Sequence, residues 1–94
     1  MLSVTVAALD RLSHKLADRK AAADIAMRFT RRKQGWRLRL DQERPDDTAF
    51  AHNGKNVLLL DVAVSQATAN RTLDVRETDA GPRLRLRRST SRED

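Results

Sequence analysis

Asn53–Glu77, NGKNVLLLDVAVSQATANRTLDVRE, is the stretch whose reading decides the fold. Asn53-Gly54 is a dipeptide that two-residue hairpin turns favour, because both central positions of such a turn need a positive φ. It leads into Val57–Leu60, an unbroken block of large aliphatic residues. A run this short, without polar alternation, reads as a strand covered on both faces and therefore as the centre of a core. Asp61 ends the block. Its carboxylate can accept an N–H from a first helical turn, which predicts a short helix over Val62–Ala69 ending near Asn70. Leu73 and Val75 then alternate with polar residues, the mark of a further strand.

Working outward, Leu2–Val4 reads as a short opening strand and Thr5 as a helix cap. Val6, Leu9, Leu12 and Leu16 recur at helical spacing, with Asp10, Arg11, Lys15, Asp18 and Arg19 on the other side. This predicts an amphipathic helix of about 14 residues, extendable by a turn through the alanines before Asp24. The period then changes. Ile25, Met27 and Phe29 alternate with Ala26, Arg28 and Thr30, and Trp36, Leu38 and Leu40 alternate with Arg37, Arg39 and Asp41. Joined by the polar loop Arg31–Gly35, these two segments predict an antiparallel hairpin. Asp41–Asp47, DQERPDD, reads as a loop because proline cannot donate to a strand ladder. Thr48–His52 is a strand that carries Phe50 inward. Ala80-Gly81-Pro82 turns the chain into a last strand, where Leu84 and Leu86 alternate with Arg83, Arg85 and Arg87. Ser89–Asp94 contains no apolar residue and is expected to be a disordered polar tail. The fold class that follows is α+β: one domain over residues 1–88, β-rich, with an N-terminal amphipathic helix packed on a curved, mainly antiparallel or mixed sheet.

Composition narrows the function. Ninety-four residues with 39% hydrophobic content but one Trp and two Phe must build an aliphatic core. Cysteine is absent, which excludes disulfides, zinc–thiolate sites, redox dithiols and cysteine-ligated iron–sulfur clusters within this chain. The first residues, MLSVTVAALDRL, carry an acid and no basic start, unlike a secretory leader. No apolar run approaches the roughly 20 residues needed to cross a bilayer, so the expected location is cytoplasmic. The net charge of +6 is uneven: Arg28–Arg44 holds seven bases and two acids, Pro45–Asp79 three bases and six acids.

Asp10, His14 and Asp18 share one helical face, but a solvated charged surface accounts for them, and His52 reads as exposed. Asp46 and Asp47 lie in a polar loop, where turn formation is the simpler role. Ser3, Ser13 and Ser65 sit in no nucleophile context, and three scattered glycines make no phosphate loop. The sequence therefore reads as non-enzymatic, with neither cofactor nor metal.

The order of elements resembles the HesB/IscA-like domain, the A-type iron–sulfur carrier fold, over about Leu2–Arg88. The residues that carry the resemblance are LSVTVAALDRL at the start and VLLLDVAVSQATANRTLDV from Val57 to Val75. The latter is similar to the family's apolar strand, Asp, small helical segment and Gly-Thr-x-Leu/Ile-Asp-Tyr. The resemblance implies a scaffold whose members hold iron or a cluster with one hairpin cysteine and two cysteines near the C-terminus. Here the hairpin reads RRKQGW and the C-terminus RLRLRRSTSRED, so no ligand carries over.

Two functional expectations follow. One is a non-catalytic scaffold or binding domain that has lost cluster carriage, an accessory or self-associating module acting with another protein or as a homo-oligomer and not with a membrane. The other is polyanion binding, to nucleic acid or an acidic protein, through Arg31, Arg32, Lys33, Arg37, Arg39, Arg83, Arg85, Arg87 and Arg88. The same arginines also suit a structural role, blunting strand edges or pairing with Asp41, Asp74 and Glu77 across strands. If the hairpin and last strand are neighbours in one sheet, Arg28 joins them on a single basic face.

Overall fold

Each change of hydrophobic period in the chain becomes a change of element. The computed structural model describes residues 1–33 and 35–88, so the expected tail at 89–94 lies outside the described residues. The elements in chain order are β1 (Ser3–Val4), α1 (Val6–Asp18), β2 (Ile25–Arg32), β3 (Gly35–Gln42) and β4 (Thr48–His52). They continue with β5 (Lys55–Leu60), α2 (Val62–Ala67), β6 (Arg71–Thr78) and β7 (Gly81–Arg88). The strands form a four-stranded sheet of order β3-β2-β5-β4 and a three-stranded sheet of order β1-β6-β7. Both are mixed: β2 runs parallel to β5 and β1 parallel to β6, while the hairpin pairs are antiparallel.

β5 is the central strand the sequence predicts. It is flanked by β2 and β4, and Val57, Leu58, Leu59 and Leu60 are all at most 1% exposed. Fully burying a side chain of this size contributes roughly 1.5–3 kcal/mol, so this block is the largest local investment in the core. Asn53 (φ 53) and Gly54 (φ 79) both occupy the left-handed region that the β4–β5 turn needs.

α1 starts where Thr5 accepts a hydrogen bond from the Ala8 N–H at 3.1 Å. Its buried stripe is Ala8, Leu12 and Leu16, packed against β4 and β5 of one sheet and β6 of the other. Val6 does not belong to that stripe, being 73% exposed. At the first helical position it points away from both sheets, and Ala8 takes the inward place. The alanines after Asp18 do not extend the helix, because Arg19 caps it and Lys20 turns left-handed at φ 53. α2 is likewise capped by Asp61, which accepts the Val64 N–H at 2.8 Å, and it ends at Thr68, before Asn70.

The β3–β4 connection has a consequence the sequence does not announce. β3 and β4 occupy opposite edges of the four-stranded sheet, yet only Glu43–Asp47 joins them. Three strand spacings are about 14 Å, close to the reach of five extended residues. The connection therefore crosses the sheet face that carries Arg28 and Leu59, partners in the β2–β5 register, and Leu59 is fully buried.

Candidate functional site

That crossing is held by a buried charge cluster. Arg28 is 4% exposed, not part of an open basic face. Its Nε donates to Asp41 Oδ2 at 2.7 Å, its two terminal nitrogens donate to both Asp47 oxygens at 2.9 and 2.5 Å, and one also donates to the Gln42 carbonyl at 3.0 Å. The Asp47 side chain is only 2% exposed. Asp47 also accepts from the Arg44 backbone N–H at 2.8 Å, so the expected turn forms, but its carboxylate serves the sheet as well. Asp47 in particular raises the Arg28 guanidinium above its ordinary value. In return Arg28 lowers Asp47 below the usual carboxylate range, and the Gln42 N–H followed by Arg28 lowers Asp41. Alternation assigned Arg28 to the correct side of β2. What it could not show was the loop that covers that side.

The remaining basic residues are distributed as follows. Arg31, Arg32 and Lys33 lie at the hairpin tip, and Arg37 and Arg39 on β3; all are exposed. Arg83, Arg85 and Arg88 are exposed on β7, whereas Arg87 is partly buried with its Nε 3.4 Å from Asp74 Oδ2. Arg31 lies over the Trp36 ring, 5.6 Å from its centroid. Two of the cross-strand pairings suggested by the sequence thus form, Arg28 with Asp41 and Arg87 with Asp74. The two arginine rows do not share a sheet, since β3 edges the four-stranded sheet and β7 the three-stranded one. They approach through their leucines instead. Phe29, Trp36 and Leu38 face Leu73, Leu84 and Leu86 across an apolar cleft of about 360 Å³, with Arg37 also lining it.

Asp74 ties the N-terminal segment to this second sheet. Thr5 Oγ1 donates to Asp74 Oδ1 at 2.9 Å, and the Val75 N–H donates to the same oxygen at 2.8 Å. The Val75 N–H, then Thr5, hold the Asp74 carboxyl below its ordinary value.

His14 lies on the expected solvated face of α1, but His52 departs from expectation. His52 is half-buried, with its Nε2 3.7 Å from Asp10, and His14 approaches the other Asp10 oxygen at 3.6 Å. Packing of α1 on β4 brings His52 to Asp10, a contact that helix spacing within α1 has no means of indicating. Among the described residues no group of three or more His, Cys, Asp or Glu is arranged to hold a metal ion. A depression of about 680 Å³ is lined by Asp24, Gln42, Glu43, Lys55 and Asn56. Its polar side chains already bond one another or the backbone: Gln42 to Asp24 at 2.6 Å, Asn56 to Glu43 at 2.9 Å, and Lys55 to the Ile25 carbonyl at 2.8 Å.

Among solved structures, Escherichia coli SufA, involved in biosynthesis of iron–sulfur clusters, superposes with a TM-score of 0.73. The match covers 93% of this chain and 84% of SufA at 19% identity. IscA with a [2Fe-2S] cluster superposes at a TM-score of 0.60 and 19% identity, covering 94% of this chain and 85% of IscA. The chain carries the A-type carrier fold of SufA and IscA. No family model and no curated protein matches the sequence. On this A-type scaffold the β2–β3 hairpin presents Arg31, Arg32 and Lys33, and the 94 residues contain no cysteine. Among the described residues no helix is long and apolar enough to cross a membrane.

Proposed function

We propose that this chain is a non-catalytic binding or scaffold module on the A-type fold that does not carry an iron–sulfur cluster through cysteine. The observation behind this reading is one of retention without chemistry. The scaffold of SufA and IscA persists over nearly the whole chain, while the thiolates that cluster ligation draws on are absent from the sequence. The polar depression fits the same view, because its acids and amides are satisfied by one another and leave no group poised to react. Anaerobic incubation of the purified protein with iron and sulfide, followed by desalting and absorption spectroscopy, tests this. The expected spectrum lacks a cluster chromophore; a stable one that survives desalting refutes the reading.

A second reading, polyanion binding, is favoured by one observation. The side chains of Arg32, Lys33, Arg37, Arg39, Arg83, Arg85 and Arg88 are exposed and make no ion pair among the described residues. Binding of a labelled RNA or DNA should then fall steeply with salt. Replacing Arg31, Arg32, Lys33, Arg85, Arg87 and Arg88 with Gln should abolish it, and unchanged binding rules out this surface.

A further inference from the structure

We propose that the free edge of β3 accepts an extended segment of another protein, alternately acidic and apolar, as an added strand. The inference rests on the binding-module reading and names the partner's chemistry. β3 is eight residues long and pairs with β2 on one side, while its other side forms the outer edge of the four-stranded sheet. A strand edge of this length offers a row of backbone donors and acceptors to an incoming chain.

The side chains of β3 specify what such a chain must carry. Arg37 and Arg39 alternate with Trp36, Leu38 and Leu40 along β3, exposed and without ion pairs among the described residues. Trp36 and Leu38 line the apolar cleft shared with Leu84 and Leu86, and Leu40 is 37% exposed beyond it. In an added strand, side chains also alternate, and those on one face recur about every 6.6–6.8 Å. Acids at alternate positions then meet Arg37 and Arg39, while the intervening apolar residues extend the Trp36–Leu38–Leu40 surface.

Charge disfavours a second copy of the chain in the register that stacks the arginines. A symmetric antiparallel β3–β3 pairing centred on Arg39 sets that arginine against itself, and like charges directly opposed destabilise a pair. It also sets Arg37 against Asp41, whose carboxylate is already bonded to Arg28 and to Arg44 at 2.7 and 3.2 Å. Nucleic acid is disfavoured for a different reason. Single-strand binding uses aromatic faces as stacking platforms. Trp36 stacks on Phe29 at 4.8 Å and an interplanar angle of 12°, Arg31 lies over its ring, and Phe29 is 5% exposed.

Trp36 is the only tryptophan and lines the cleft, so its fluorescence reports on this edge. The test titrates the protein with four probes: an eight-residue peptide of alternating Glu and Val, its fully N-methylated form, octaglutamate, and an eight-nucleotide oligothymidine. The Glu/Val peptide is expected to bind one-to-one and change Trp36 emission. N-methylation, which keeps the side chains but removes the amide donors, should weaken binding at least tenfold. The exposed pair R37Q/R39Q should do the same with an unchanged circular dichroism spectrum. Equal binding of the N-methylated peptide, octaglutamate or oligothymidine overturns the proposal, as does R37Q/R39Q without effect or no binding by the Glu/Val peptide. A cluster chromophore in the iron and sulfide experiment would remove the underlying reading instead, so the two failures are told apart.

Discussion

Replacing Arg28 with Met removes a cation that is 5% exposed at its side chain and leaves the Asp47 carboxylate, 2% exposed, without its main partner. Breaking a buried ion pair from one side costs about 3–5 kcal/mol, because the surviving charge stays desolvated. A domain of this length has a total stability of about 5–14 kcal/mol, so R28M should remove at least about a fifth of it. At about 4–8 °C per kcal/mol, the melting temperature should fall by at least about 12 °C. The double variant R28M/D47L removes both charges together, and Asp41 keeps its contact with Arg44. Such apolar replacements are often neutral, so the double variant should recover most of the loss. Urea titrations followed by Trp36 fluorescence and circular dichroism measure all three proteins. The desolvation argument fails if R28M costs less than about 1 kcal/mol, or if R28M/D47L is no more stable than R28M.

Acid should undo the same cluster. Asp41, Asp47 and Asp74 all titrate below the ordinary 3.8 in the folded protein, so the stability they add is fully present above the unfolded value and is lost as pH falls through the folded ones. Urea midpoints should therefore drop below about pH 4, and less steeply in R28M/D47L. Removing the helix cap in D61A should cost about 1 kcal/mol, read as a lower urea midpoint with an unchanged slope. L58A, at a fully buried position in the central strand, should cost about 2–5 kcal/mol by the same measurement. G54A, at φ 79 with nothing within 4 Å of the added carbon, should cost about 1–2 kcal/mol from backbone conformation alone.

Much of the fold could be read from local patterns because the forces that set it are local. Asn53-Gly54 needs only its own φ angles to make the β4–β5 turn, and Thr5 and Asp61 cap helices whose first N–H groups lie three residues away. The unbroken block Val57–Leu60 marks a strand covered on both faces wherever it sits in the chain. The candidate site was less legible. Arg28 falls on the polar phase of β2, and the alternation that puts it there is satisfied equally by solvent or by a covering loop.

Sequence alone thus determined the elements, their order and their apolar faces, since each depends on neighbours within a few residues. Only the tertiary structure decided which faces are covered and which charges meet. Placing β3 and β4 at opposite sheet edges sends Glu43–Asp47 across Arg28 and turns an apparently exposed arginine into a buried ion pair. Packing α1 on β4 brings His52 to Asp10 from more than forty residues away. Assigning β3 and β7 to different sheets separates two arginine rows that look alike in sequence, and it leaves the edge of β3 open.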